Sequence, residues 1–303
     1  MAAIETTGLE KAYGDVTALA GLDLKVREGE VFGFLGPNGA GKSTTIDVLL
    51  DFVRPTAGSA TVLGLDAQER SREIRRRTGV LPEGYDIYER LSGKQHLDFV
   101  IESKGAADDP WDVLDDVGIE DAGMRKAGGY STGMRQRLLL GMALVGDPDL
   151  LILDEPSAGL DPAGVREIRE RIREVADDGG TVFFSSHILS QVEAVCDRVG
   201  ILRGGELVAV DTVEGLRDAA EVESTLTVTT RGEFPAAAIS TVRGLAGVSE
   251  VAVHGNDLVT TVIDSSKFSV LSTLEAADVQ IVDFQTEEAS LEDLFLTYTE
   301  DDR

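Results

Sequence analysis

Val31 to Leu35 and Leu150 to Leu153 are apolar without interruption, and Thr181 to Ser185 has an apolar centre, Val182-Phe183-Phe184. Short runs of this kind suit strands buried on both faces, as in a parallel sheet. Elsewhere the pattern alternates. Ile4-Glu5-Thr6-Thr7 and Leu22-Asp23-Leu24-Lys25-Val26 read as strands with one wet face, and residues 4–26 predict an antiparallel edge sheet; Ala60 to Leu63 reads as a further short strand bounded by glycines. Residues 85 to about 130 carry helical periodicity, broken at Gly105–Pro110 and at Gly118, and Gly133 to Gly146 reads as another helix. A charged amphipathic helix over Val165 to Ala176 then leads through Asp177-Asp178-Gly179-Gly180 into the third buried strand. Strands and helices in this alternation predict an α/β fold with a parallel core, an antiparallel edge sheet and a helical subdomain at about 85–145.

Near Asp218–Ser224 the pattern changes. Strand (Leu226 to Val228), helix (Pro235 to Gly244), strand (Val248 to Val253), strand (Leu258 to Ile263), helix (Lys267 to Ala276) and strand (Val279 to Phe284) follow in the βαββαβ order of a ferredoxin-like α+β domain. Gly255-Asn256 between the middle strands is a hairpin signal. Ser290-Leu291-Glu292-Asp293 opens a last helix as a capping box. The expected domains are therefore 1–220 and 221–303.

Composition narrows the setting. Acidic residues number 55 against 28 basic ones, a net charge of −27, spread through patterned segments rather than gathered in a tail. A surface this acidic suits a high-salt cytoplasm, where screening tolerates dense carboxylates, and argues against nucleic acid as a partner. Neither a secretory leader nor a membrane span is visible, since the longest apolar stretches fall far below the ~20 residues a bilayer needs. The single cysteine, Cys196, excludes an internal disulfide and reads as a buried core thiol among Val192, Val195 and Val199. Arg70, Arg72, Arg75, Arg76 and Arg77 form the one basic cluster, either a solvated helix face or a contact to a membrane partner or lipid headgroups.

The chemistry centres on Gly36-Pro37-Asn38-Gly39-Ala40-Gly41-Lys42-Ser43-Thr44, set between a buried strand and a helix-compatible stretch. This is the context of a phosphate-binding P-loop (Walker A): glycines let successive N–H groups turn inward, and the following helix adds its own free donors. Lys42 would neutralise the β- and γ-phosphates, and the Ser43 hydroxyl would hold Mg²⁺. Asp154 and Glu155 end the second buried strand, where α/β sheets place ligand chemistry; Asp154 suits the Mg²⁺ shell and Glu155 the polarisation of an attacking water.

Tyr130-Ser131-Thr132-Gly133-Met134-Arg135-Gln136-Arg137 alone reads as a turn and helix N-cap. In combination, however, the P-loop, this stretch, the acid pair, Ser157-Ala158-Gly159-Leu160-Asp161 and Ser185-Ser186-His187 resemble the nucleotide-binding subunits of ATP-binding-cassette transporters over residues 4 to about 217. The resemblance implies that Tyr13 stacks on adenine, although a half-buried strand tyrosine is an alternative reading. It implies that His187 senses the γ-phosphate, that Ser131 and Gly133 cap the nucleotide held by a second copy, and that Asp161 of the D-loop is among the nucleotide-binding residues. Ser131 to Arg135 departs from the family's common Ser-Gly-Gly-Gln-Gln, and Glu83 stands where most members carry a glutamine. Both variants, and the ending Ser290 to Phe295, resemble the daunorubicin-type drug exporters. Glu83 then either contacts Mg²⁺ or couples motion to the partner. The implied protein binds ATP and Mg²⁺, works as a homodimer through its ATP sites, and drives a separately encoded transmembrane permease from the inner face of the membrane. The rival is a soluble ATPase of this class acting on ribosomes or DNA ends; a single cassette without sustained heptads argues against it.

Overall fold

The computed structural model describes residues 1–84, 87–157, 159–186, 189–220, 224–263 and 266–287, with backbone only at 189–190 and 217–220. It divides into two compact units, Met1–Thr212 and Val213–Arg303. The expected boundary lay after residue 220; here the helix Val213–Ala220 belongs to the second unit.

The first unit opens with β1 (Ala2–Tyr13), β2 (Val16–Leu22) and β3 (Lys25–Arg27), followed by β4 (Val31–Leu35) and α1 (Lys42–Leu49). Next come β5 (Ala57–Val62), β6 (Leu65–Asp66), α2 (Ser71–Arg77) and β7 (Thr78–Leu81). The helical part holds α3 (Gly93–Lys104), α4 (Pro110–Asp116) and α5 (Thr132–Leu144). The chain then runs through β8 (Leu150–Asp154), α6 (Pro162–Asp177), β9 (Thr181–Ser186), α7 (Leu189–Glu193), β10 (Arg198–Arg203) and β11 (Glu206–Asp211).

Two sheets result. β1 pairs antiparallel with β2, β3 and β5, and β5 with β6. The second sheet has the order β11-β10-β4-β9-β8-β7, parallel throughout except for the edge strand β11. Every residue of β4, β8 and β9 is buried, as continuous apolar runs in a parallel sheet require. One core joins the sheets: Ile4, Leu22 and Val62 from the first, Phe32, Ile152 and Phe183 from the second, with Ile46 and Leu49 of α1. Within it Phe32 and Phe183 stack with ring centroids 6.0 Å apart.

The breaks read in the helical part are caps. Gly105 ends α3 at φ +71°, Asp109 and Pro110 start α4, and Gly118 follows it at φ +66°. Ser92 and Gln95 form a reciprocal capping box at the start of α3. The clustered arginines are exposed, and three of them also bond within this chain: Arg75 donates to Leu50 O at 2.7 Å, Arg77 pairs with Asp149 at 2.7 Å, and Arg70 pairs with Glu73. Cys196 is half-buried, and burial pushes its thiol well above the ordinary value.

In the second unit α8 (Val213–Ala220) precedes β12 (Ser224–Thr230), α9 (Ala236–Arg243), β13 (Val248–His254), β14 (Asp257–Val262), α10 (Lys267–Ala276) and β15 (Ile281–Glu287). Its sheet is antiparallel in the order β13-β14-β12-β15. His254 faces Asp257 across the Gly255-Asn256 turn. Leu226, Val228, Val242, Leu258, Val262, Val270 and Leu274 build a separate core. The capping box expected at Ser290 lies outside the described residues.

Candidate functional site

The glycine-rich loop runs from the end of β4 to the start of α1, and two of its glycines are fixed by space. A Cβ on Gly36 would lie 2.6 Å from Leu202 O, and one on Gly41 would lie 2.6 Å from Ala18 O. Gly41 also sits at φ +113° and Gly39 at φ +83°, conformations that favour glycine. The loop is fastened from behind by Gly205, whose N–H donates to Ala40 O at 2.9 Å. Pro37, Asn38 and Gly39 face outward, whereas Ala40 is buried. Lys42 is 7% exposed and donates from Nζ to Gly36 O at 2.7 Å, which holds its ammonium over the loop. Ser43 lies exposed in the first turn of α1, and Thr44 is half-buried. Thr45 is buried and returns its hydroxyl to Gly41 O at 2.9 Å.

Register brings the acid pair to the same edge. Phe34 pairs with Ser185 and Asp154 pairs with Ser185, so β4, β9 and β8 end level. Asp154 is 4% exposed and accepts from the Ser185 hydroxyl. Asp47, one helical turn beyond Ser43, has its carboxyl pushed above the usual range, chiefly by burial and then by the Asp154 charge. Ser43, Asp47 and Asp154 therefore share one corner.

Glu155 is 6% exposed and stands at φ +50°, unusual for a non-glycine residue. Its N–H donates to Ser185 O at 3.1 Å. Beyond it, Pro156 O accepts from Gln136 Nε2 at 2.5 Å, and the Ser157 hydroxyl donates to Gln191 Oε1. Sequence reasoning gave neither glutamine a role, although Gln136 stands in the Tyr130–Arg137 stretch, because both contacts are long-range.

The remaining positions are distributed around this edge. Tyr13 is 47% exposed at the end of β1, with Lys11 Nζ 4.8 Å from its ring centroid. Glu83 is exposed in the turn after β7, the strand that flanks β8. Ser131 caps α5 by accepting from Met134 N–H at 3.3 Å, and with Thr132 it is exposed; Gly133 is half-buried. Asp161 caps α6, accepting from Gly164 N–H at 2.8 Å. Both caps are the local device that each sequence position suits, and both leave helix N-termini facing outward. His187 lies outside the described residues, directly after the buried pair Ser185 and Ser186.

Comparison with known proteins gives these features a family. The ABC transporter family matches residues 19–158. Over 98% of each chain the protein is 32% identical to a linearmycin resistance ATP-binding protein of Bacillus subtilis. It is 34% identical to a daunorubicin resistance ATP-binding protein of Streptomyces coeruleorubidus, over 98% of this chain and 95% of that one. A solved ATP-binding subunit of an ABC transporter superposes with a TM-score of 0.67 at 29% identity, over 71% of this chain and 92% of the other. A dimeric ATP-binding cassette described as a post-hydrolysis state with ADP and Pi shares the fold, with a TM-score of 0.64 at 22% identity, over 69% and 98%. The chain therefore belongs to the ABC transporter family as an ATP-hydrolysing ATP-binding subunit, and within it resembles the daunorubicin-type drug-resistance proteins.

Proposed function

We propose that this subunit powers an exporter: two copies close head to tail over two MgATP, and the motion drives a separately encoded transmembrane permease. Among the described residues no helix is long and apolar enough to cross a membrane, which fits a subunit docked peripherally on the inner face. The names of the relatives, which speak of linearmycin, daunorubicin and bacitracin, support export of small molecules.

The site suits the nucleotide on its own geometry. Its glycine cradle at Gly36 and Gly41 is one that a Cβ would fill, and Lys42 waits over it. Lys42 would turn its ammonium from Gly36 O to the β- and γ-phosphates, while the loop and α1 N–H groups orient them. For Mg²⁺ the donors would be hard oxygens, the Ser43 hydroxyl and the Asp154 carboxylate, with the rest supplied by phosphate and water. Bound there, the ion would screen the charge developing on the transferred phosphoryl group. Glu155 would accept the proton of the attacking water, and His187 would bond the γ-phosphate. Tyr13 would stack on the adenine. Ser131 and Gly133 would present the α5 N-terminus to the nucleotide of the second copy, with Asp161 between the copies. Glu83 is placed in this reading beside the Mg²⁺ shell or at the permease contact.

The observation that carries the proposal is the level ending of β4 and β8, which sets the P-loop and the acid pair on one sheet edge. The test is affinity purification of the tagged full chain from membranes of its own cells. A multi-span membrane protein that co-purifies and stimulates ATP hydrolysis is expected. Recovery with ribosomes or DNA, and without such a protein, would overturn it.

A further inference from the structure

The turn that follows Glu155 is gripped from two sides by side chains to which the nucleotide reading gives no role. Glu155 holds φ +50°, a backbone conformation that a glutamate keeps only when its surroundings impose it. On the N-terminal side its own N–H is tied to Ser185 O. On the C-terminal side Pro156 has no N–H to offer, which leaves the Pro156 carbonyl and Ser157 as groups that can hold the turn. Those are the two groups engaged: Gln136 of α5 donates to Pro156 O at 2.5 Å, and Gln191 of α7 accepts from the Ser157 hydroxyl. Ser157 and Gln191 are 6% and 7% exposed, so their bond is shielded from competing water.

The helices concerned give the grip a direction. α5 carries Ser131 at its exposed N-terminus, and Gln191 lies four residues beyond His187. We propose that Gln136 and Gln191 are positioning residues for hydrolysis. Between them they clamp the Pro156–Ser157 turn so that Glu155 is aimed, and they tie that aim to the helix facing the second copy and to the segment after His187. The inference rests on the reading of Glu155 as the proton acceptor.

The two contacts have opposite polarity, and one isosteric change separates them. Gln136 supplies an amide donor, whereas Gln191 supplies an amide oxygen. A glutamate keeps the acceptor and loses the donor. Gln136→Glu sets a carboxylate oxygen against the Pro156 carbonyl and breaks the contact; Gln191→Glu preserves it. Gln136→Met and Gln191→Leu remove each contact without adding charge.

The experiment measures kcat, KM for MgATP and melting temperature of the full chain and these variants in molar KCl. Gln136→Glu, Gln136→Met and Gln191→Leu are expected to lower kcat about 10-fold or more with KM within about 3-fold, a loss confined to the transition state. Their melting temperatures should stay within a few degrees of wild type, and Gln191→Glu should keep kcat within about 3-fold. Wild-type turnover in Gln136→Glu, equal effects of glutamate at both positions, or a kcat loss that only tracks melting temperature would each overturn the proposal. So would failure of both Gln136 variants to fold, which would make the residue structural. Glu155→Gln, measured alongside, separates the two readings. Continued hydrolysis there refutes the role of Glu155, whereas its loss beside unaffected glutamine variants refutes only the clamp.

Discussion

Three glycines in one loop can be replaced by alanine to separate conformational strain from steric exclusion. Gly39 is at φ +83° with nothing within 4 Å of the position a Cβ would take, so Gly39→Ala costs only the change of backbone region, about 1–2 kcal/mol. Gly36 has no positive φ, but its Cβ would lie 2.6 Å from Leu202 O, a backbone atom in the parallel sheet. Forcing such a contact apart costs about 1–3 kcal/mol, as overpacking does. Gly41 combines both, with φ +113° and a Cβ 2.6 Å from Ala18 O and 2.9 Å from Leu19 Cδ2, which gives roughly 2–5 kcal/mol. For a unit of this size each kcal/mol shifts the melting temperature by about 2–4 °C. Gly41→Ala should therefore melt on the order of 10 °C below wild type, and Gly39→Ala only a few degrees below. The assay is thermal unfolding followed by circular dichroism in molar KCl, with nucleotide binding measured on the same samples. A Gly41→Ala protein that melts no lower than Gly39→Ala would falsify the claim that Ala18 O closes the loop against any side chain.

Other consequences are equally accessible. Asp47 has a folded-state pKa above its unfolded one, so its favourable contribution is fully present below the unfolded value, near pH 4, and is lost as pH rises through the folded value. Asp47→Asn should accordingly raise the melting temperature at pH 7 and leave it unchanged near pH 3; an equal shift at both would remove the electrostatic cause. The net charge of −27 per chain opposes both folding and pairing, and the Debye length falls from about 10 Å at 0.1 M salt to about 3 Å at 1 M. Melting temperature and dimer formation by Glu155→Gln should thus both rise from 0.1 to about 3 M KCl; a dimer tightest in dilute buffer would contradict the high-salt reading. The fragment Met1–Thr212 contains the whole two-sheet core and should fold and bind ATP alone, which circular dichroism and nucleotide titration can check.

Much of the cassette was legible because its signals are local. Val31 to Leu35 and Leu150 to Leu153 read as buried strands because a strand covered on both faces needs no polar alternation. The strands and helices from Leu226 to Phe284 were readable from alternation and from the Gly255-Asn256 turn. The short strand β7 was not: Thr78–Leu81 has only four residues behind an arginine-rich helix, too few to show a period. The hairpin of β10 and β11 carried a signal that went unused, Gly204-Gly205 between two runs of strand character. Assigning Val213–Ala220 to the first unit failed because an amphipathic helix does not say which core it covers. Within the site, the placement of the glycine-rich loop between β4 and α1 and of the acid pair at the end of β8 was legible from local pattern, whereas the positive φ of Glu155 and the grips of Gln136 and Gln191 depend on tertiary packing.

The central claim is that Glu155 takes the proton of the attacking water at a site otherwise built to bind MgATP. Single-turnover hydrolysis by Glu155→Gln, with MgATP affinity measured on the same protein, tests it most directly. An amide cannot accept that proton, so hydrolysis should fall by about 10²-fold or more while affinity stays within a few-fold of wild type. Hydrolysis within a few-fold of wild type would contradict the account and move the base to another residue.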